Sequence, residues 1–328
     1  MDINNGVFTV SLDFELYWGL RDKRAISEYE NHLNGVKTAI ERTLELFDKY
    51  EIHATWATVG FLFAKNIEEL KALSPTKKPN YHNANLSPYV YIENSEMLEA
   101  RYHFAPELID RICKYSNQEI GTHSFSHYYC LEKGQTKEEF GNDLATAMYV
   151  AKEKGVSIES LVFPRNQWND KYLSVLNECG IKSFRGNEKG WLYKAVNGTE
   201  ENLVRRALRL LDAYINLSGS NSYSIKSISA TKPYNIPSSR FLRPKSKRLS
   251  VFEGLRKRRI ISSLEQAAKN NEVFHLWWHP HNFGADVDGN IEFLEDILLS
   301  FRDMNNLYGM KSLNMREVSG LIDNGESL

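Results

Sequence analysis

Two histidines four positions apart are the residues whose type and spacing most directly suggest chemistry. His123 and His127 lie in the segment 121–127, GTHSFSH, which follows a short run that predicts a β-strand. On one turn of helix this spacing brings both imidazoles to the same face. Together they can bind one cation, although paired histidines also occur in loops and cores, where hydrogen bonds hold them. A third ligand is needed before the pair predicts a metal site.

A pair of carboxylates near the N-terminus can supply that ligand. Asp13 and Glu15 follow the β-rich run 7–12, and alternate residues of a strand face the same side. One carboxylate can bind metal while the other stays free as a base, or the pair can instead cap a helix or bind an arginine. Two histidines, one carboxylate and an open water position form the usual hydrolytic zinc site. The sequence therefore predicts a hydrolase that uses a divalent metal, with Zn²⁺ as the first candidate.

Three further candidates follow other predicted strands. His279 comes directly after the apolar run 273–278 and is a candidate general acid, a role for which His281 competes. Arg165 follows the run 161–163 and can orient a carboxylate base through a bidentate ion pair. Read singly, each of these residues has an ordinary structural alternative, namely a histidine that satisfies turn backbone or an arginine on the surface.

The elements that must position these residues alternate between strand and helix. Apolar runs predict strands at 7–12, 54–63, 119–121, 161–163, 181–185 and 273–278. Helical periodicity or start signals occur between them, at 35–50, from Pro106, from the capping box that Thr136 opens, around Leu173, and at 291–301. This order is typical of a parallel α/β protein, in which chemistry gathers at the carboxyl ends of the strands.

Composition limits the classes of partner and the number of domains. The chain has 328 residues and a formal net charge of -1, which does not predict nucleic-acid binding. Its three cysteines are far apart in the sequence and do not predict a disulfide framework. We expect one domain over 1–328, with an aromatic loop insertion at about 74–104 and a less regular, basic segment at about 205–259. Residues 1–6 lack the basic stretch of a secretory signal, so a cytoplasmic location is favoured.

Four motifs, read in chain order, resemble those of a known family. Residues 11–15 (SLDFE), 121–127 (GTHSFSH), 163–165 (FPR) and 276–279 (LWWH) are similar to the first, second, third and fifth motifs of the polysaccharide deacetylases, the NodB-homology group of carbohydrate esterases. The likeness spans nearly the whole chain. It implies a distorted (β/α) barrel of about seven parallel strands, with Glu15, His123 and His127 as metal ligands and Asp13 as the base.

The motifs also depart from the family pattern. The family's first motif has two adjacent aspartates, whereas Phe14 separates Asp13 from Glu15 here, so the two acids could exchange roles or both bind the metal. The third motif usually reads Arg-x-Pro, whereas Pro164 precedes Arg165. The fourth motif, with its Asp and Trp, is not found. These departures imply a substrate pocket of a different construction.

The resemblance further implies an N-acylated sugar as substrate. Because no signal segment is recognised, we expect a nucleotide- or polyprenyl-linked precursor of a cell-surface polysaccharide. Candidate substrate contacts are Trp18, Trp168, Trp278 and His281. The span 240–259 holds nine basic residues against the single Glu253, which predicts either contact with a diphosphate or an anionic membrane, or a solvated helix face.

Two other functions stay open. One is a hydrolase of the same fold that acts on a ureide or a formamide. The other is a non-catalytic module that binds sugar or zinc. A structural zinc site normally has four protein ligands, and the sequence offers three, which favours catalysis.

Overall fold

One sheet of nine strands organises the part of the chain that the computed structural model describes, residues 5–95, 97–198 and 200–324. The strands are β1 (Val7–Phe14), β2 (Ala54–Thr58), β3 (Gln118–Thr122), β4 (Ser160–Val162), β5 (Ser183–Arg185), β6 (Tyr234–Asn235), β7 (Arg240–Phe241), β8 (Val273–Trp278) and β9 (Lys311–Ser312). All of their pairings are parallel. Parallel sheets are covered on both faces, which explains why all eight residues of β1 are buried.

The strand order curls the sheet into a distorted barrel. Neighbouring strands follow the order β6-β5-β4-β3-β2-β1-β8-β7, and β9 pairs beside β1. Between β6 and β7 the backbone crosses from one sheet edge to the other, since Ser238 N–H donates to Gly186 O (2.9 Å) and Ser239 N–H to His275 O (2.8 Å). If β6 and β7 are counted as one interrupted strand and β9 is left out, seven strands form the barrel. The predicted fold class is confirmed.

Thirteen α-helices connect the strands within the described residues. They are α1 (Ile26–Asn34), α2 (Val36–Lys49), α3 (Ile67–Leu73), α4 (Pro88–Asn94), α5 (Ala100–His103), α6 (Pro106–Ile112), α7 (Lys137–Glu153), α8 (Leu173–Glu178), α9 (Leu203–Asp212), α10 (Ile225–Ile228), α11 (Glu253–Lys269), α12 (Val287–Tyr308) and α13 (Met315–Asp323). The capping box that Thr136 was predicted to open is present, with Glu139 as its partner. No helix of the described residues is long and apolar enough to span a bilayer.

Alternation along the strands separates the core from the barrel interior. On β1, Phe8, Val10, Leu12 and Phe14 belong to the large hydrophobic core that the helices cover. Ser11, between them, faces the interior, where its hydroxyl bonds Arg185 (2.9 Å) and His275 (2.8 Å). The barrel interior is therefore polar at the level where β1 delivers Asp13.

The two irregular segments contain more regular structure than the sequence indicated. Residues 74–104 include α4 and α5, and the aromatic rings of Tyr81, Tyr89 and Tyr102 are buried there as packing. Residues 205–259 include most of α9, all of α10, β6 and β7, and the start of α11. The run 54–63, predicted as one strand, ends as a strand at Thr58 and continues as a 3-10 helix, Gly60–Phe63.

Candidate active site

The carboxyl ends of β1, β3 and β8 bring five of the predicted residues together. Asp13 and Glu15 lie at the end of β1, His123 and His127 follow β3, and His279 follows β8. Strands β2 and β8 flank β1, and β3 pairs with β2, so parallel pairing carries these ends to the same edge of the barrel.

Three of these side chains form the one group among the described residues that could hold a metal ion. The ligand atoms of Glu15, His123 and His127 all lie within 4.8 Å of one another and are buried. Glu15 Oε2 is 2.9 Å from His127 Nε2 and 3.4 Å from His123 Nε2. Three protein ligands leave room for water and substrate, as in catalytic rather than structural zinc sites.

The two histidines carry the observation that tests whether this group fits a cation. His123 Nδ1 lies 2.7 Å from the carbonyl of Val162 and must donate to it, which leaves the Nε2 lone pair free. Nε2 of His123 and Nε2 of His127 are both buried and have no hydrogen-bond partner of acceptable geometry, although Glu15 is close. Since buried polar atoms are rarely left unsatisfied, the residues fit a divalent cation.

The turn that carries these histidines is not the predicted helical one. Ser124 (φ 60°) and His127 (φ 57°) adopt left-handed backbone conformations, which are strained for residues other than glycine. The carboxylate of Asp143 holds the turn by accepting the N–H groups of Phe125 (2.7 Å) and Ser126 (3.1 Å). Burial raises the pKa of Asp143 to about 6. Asp143 lies on α7 and has no motif of its own, so it was not among the predicted residues.

Asp13 is bound by an arginine that was not among the predicted site residues. Arg185, the last residue of β5, donates from Nη1 to Asp13 Oδ1 (2.7 Å) and from Nη2 to Oδ2 (2.8 Å). The guanidinium is completely buried and lies 4.1 Å above the ring of Trp277. Burial alone would raise the pKa of Asp13, but the charge of Arg185, together with the nearby His123 and His279, outweighs the effect of burial, so the pKa is lowered.

The predicted pairing of Arg165 with Asp13 is therefore wrong. Arg165 binds both oxygens of Asp22 at 2.5 Å and lies 4.2 Å over the ring of Tyr129. Its backbone turns into the left-handed region (φ 57°) after β4. Arg185 was detectable, because it ends the predicted strand 181–185, the same kind of position that drew attention to Asp13.

His279 is the more accessible of the two competing histidines. Its Nε2 is 3.5 Å from Glu15 Oε1 and 3.8 Å from Asp13 Oδ2, and its side chain is 23% exposed. His281 is buried, with its ring between those of His279 (5.1 Å) and Tyr29 (5.7 Å). Burial lowers the pKa of His281 to about 3. This geometry favours His279 as the proton donor and gives His281 a packing role in place of the predicted substrate contact.

Two of the tryptophans predicted to contact substrate do not reach the site. Trp18 is fully buried and donates to the carbonyl of His103 (2.7 Å), and Trp278 is fully buried and stacks on Phe283. Alternation explains the error, since Trp277 shares the inward face with His279 whereas Trp278 faces the helices. Trp168 is partly exposed against Phe184 and remains a candidate.

A cavity of about 230 Å³ adjoins the site through Trp277. Its charged lining consists of five cations and two acids, Arg165, Lys194, Arg209, Arg240, Arg243, Glu188 and Glu201. Arg165, Arg209 and Arg240 have carboxylate partners. Lys194 and Arg243 have none among the residues that the structure describes. The cavity therefore presents an excess of positive charge beside the candidate metal ligands.

Comparisons with known proteins agree on the fold. The family model for polysaccharide deacetylase matches residues 29–184. A Mycobacterium smegmatis protein assigned as a polysaccharide deacetylase aligns with 99% of this chain and 93% of its own, at TM-score 0.61 and 12% identity. The 4-alpha-glucanotransferase of Thermococcus litoralis aligns at TM-score 0.51 and 12% identity, covering 98% of this chain but 40% of that one. No curated protein sequence matches. At these identities the structural likeness concerns the fold alone.

Proposed function

We propose that this chain, which belongs to the polysaccharide deacetylase superfamily as its motifs predicted, is a metal-dependent hydrolase that removes an N-acyl group from a sugar. The observation that carries the proposal is the pair of buried, unpartnered Nε2 atoms of His123 and His127 beside Glu15. Next to them lie a carboxylate held by an arginine and a partly exposed histidine, which are the groups that amide hydrolysis needs.

The choice between Asp13 and Glu15 as metal ligand follows from which of them already accepts hydrogen bonds from an arginine. Both oxygens of Asp13 accept hydrogen bonds from Arg185, whereas Glu15 faces the two histidines. Glu15, His123 and His127 would therefore hold the cation, and the exchange of roles between the acids is disfavoured. When bound, a divalent cation supplies Lewis acidity toward a carbonyl and lowers the pKa of water.

Asp13 and His279 divide the proton transfers in this proposal. The charge of Arg185 keeps Asp13 ionised, and a carboxylate oxygen that accepts one hydrogen bond retains a lone pair for a proton from water. His279, nearest to solvent, would protonate the departing amine. General acid or base catalysis of this kind contributes roughly a hundred- to ten-thousandfold each.

The positive cavity supports a substrate that carries an anionic group. Arg243 and Lys194 could bind a phosphate or diphosphate next to the sugar whose N-acyl group reaches the metal ligands. A nucleotide- or polyprenyl-linked precursor of a surface polysaccharide has this chemistry. The cytoplasmic location expected from the sequence stays a prediction.

A substrate panel tests the proposed function. Purified protein of known metal content would be assayed with N-acetylglucosamine, its 1-phosphate and its uridine diphosphate ester, a polyprenyl diphosphate ester, and a ureide and a formamide. Free acetate and formate are measured. We expect acetate from the sugars, with the phosphorylated sugars preferred. Formate or a ureide product alone would favour the same-fold alternative, and no product from any compound with metal bound would favour a binding module.

A further inference from the structure

Helix α9 presents four large apolar side chains to solvent and buries two charged ones against the protein. Leu203 is 78% exposed and Val204 66%, and Leu210 and Leu211, two turns further on, are also exposed. On the opposite face, Arg205 and Asp212 are buried. A surface helix of a soluble protein normally has the reverse arrangement.

Hydrogen bonds to the inward charges fix this orientation. Arg205 donates to the carbonyls of Leu192 (3.2 Å) and Lys194 (2.7 Å). Asp212 accepts from Tyr193 Oη (2.6 Å) and pairs with Arg240 (2.6 Å). Rotating the helix to bury its leucines would expose these groups and break their bonds, so the fold keeps the apolar face outside.

A second exposed apolar segment lies beside α9. Val251 is 82% exposed, and Phe252 and Leu255 are each about half exposed. The ring of Phe252 lies 6.3 Å from that of Tyr214, just after α9, and Asp212 of α9 also pairs with Arg259 of α11. We call the exposed apolar residues of 203–217 and 251–255 the α9 surface. Several large apolar side chains exposed on neighbouring segments indicate an interaction site.

Unpaired cations lie near the residues of the α9 surface along the chain. Arg206, Lys247, Arg248 and Arg258 are exposed, and none of them has a carboxylate partner among the described residues. By contrast, five of the nine basic residues of the span 240–259 are engaged in ion pairs, namely Arg240, Lys245, Arg256, Lys257 and Arg259. We call Arg206, Lys247, Arg248 and Arg258 the rim cations. Each lies within four residues of an exposed apolar position along the chain, and Arg206 lies outside the span 240–259.

We propose that the α9 surface docks on an anionic lipid bilayer. Exposed aliphatic side chains can insert between headgroups while the rim cations meet lipid phosphates. A symmetric dimer through the same surface would instead bring the rim cations of two copies toward one another. The cavity beside the candidate metal ligands is lined by Arg209 of α9, by Ala213 directly after it and by Arg243. Docking would therefore hold this cavity near the membrane, where a lipid-linked sugar presents its phosphate; this last step rests on the proposed function.

Vesicle flotation tests the docking without any use of catalysis. Full-length protein is mixed with phosphatidylcholine vesicles that contain or lack phosphatidylglycerol. We expect binding to the anionic vesicles, weakened by salt, and a loss of roughly tenfold or more in the double variant Leu203→Glu, Leu211→Glu. The control is Leu307→Glu, which alters a residue 70% exposed near the end of α12 and should bind as wild type. Circular dichroism and metal content confirm folding.

Sedimentation velocity separates the other occupants of this surface. A dimer of the wild type that the double variant dissociates, or wild-type protein that binds neither vesicle, would overturn the proposal. The double variant should still hydrolyse a soluble phosphorylated sugar. Flotation without any hydrolysis would therefore contradict the proposed function and leave docking intact, whereas hydrolysis without flotation would do the opposite.

Discussion

Replacement of Arg185 by glutamine should impair catalysis far more than replacement of Arg165. The first change removes two charge-assisted hydrogen bonds to Asp13, at 2.7 and 2.8 Å, from a site where both side chains are buried. Removing one partner of a buried ion pair costs about 3–5 kcal/mol of stability. Since Asp13 would also lose the charge that keeps it ionised, we expect kcat/KM to fall roughly a hundred- to ten-thousandfold.

The matched variants make this prediction specific to the base. Arg165→Gln breaks a largely buried ion pair with Asp22, which contacts none of the proposed ligands or proton-transfer groups. The change should therefore cost stability, while kcat/KM on a neutral N-acetyl sugar stays within about tenfold of wild type. Arg185→Lys keeps the charge but not the bidentate geometry and should recover part of the activity. Metal content should be unchanged in all three. Near wild-type kcat/KM for Arg185→Gln, with a large loss for Arg165→Gln, would refute the assignment.

Three further predictions concern the acid, the interior and the cavity. His279→Gln should lower kcat on an N-acetyl sugar by roughly a hundredfold but change kcat little on an aryl ester, whose leaving group needs no proton. His281→Gln should not show this contrast. Equal losses of kcat on both substrates in His279→Gln would argue against His279 as the acid. Burial and the nearby charge of Arg185 lower the pKa of His275 from 6.5 to about 3, so the unfolded chain binds a proton that the folded chain does not between these values. The free energy of unfolding should therefore rise with pH across this window, and the contribution of His275 should fall by about 2 kcal/mol when the pH is lowered from 6.5 to 5. Denaturant titrations should show a flatter pH dependence for His275→Gln, and an unchanged slope would contradict this prediction. Arg243→Gln should raise KM at least roughly tenfold for a phosphorylated sugar but not for the neutral sugar, and equal effects on both would exclude an anion-binding role.

Much of the sheet and of the candidate metal site could be predicted because both depend on local pattern. The strand predicted at 273–278 has these bounds in the structure, and Asp13, Glu15, His123, His127 and His279 meet at one edge because parallel strands end there. The turn around His123 escaped prediction, since the carboxylate of Asp143 on a later helix stabilises its left-handed residues.

The errors at the site arose where the face of a strand, or a contact between residues distant in sequence, determines what a side chain binds. Trp278 was selected over Trp277, although strand alternation places Trp277 on the face of His279. Arg165 was selected over Arg185 because it lies in a recognisable motif, whereas the partner of Asp13 is decided by which strand end faces it across the barrel. The outward leucines of α9 depend on long-range bonds of Arg205 and Asp212, which helical periodicity cannot reveal.

Metal analysis combined with hydrolysis by the His123→Ala variant tests the central claim most directly. We predict about one divalent ion per chain in the wild type, with acetate release that stops on chelation and returns when Zn²⁺ is added. His123→Ala should lose both the ion and the hydrolysis, whereas the control His82→Ala, at an exposed position, should keep both. Full hydrolysis with the ion retained in His123→Ala would contradict the account.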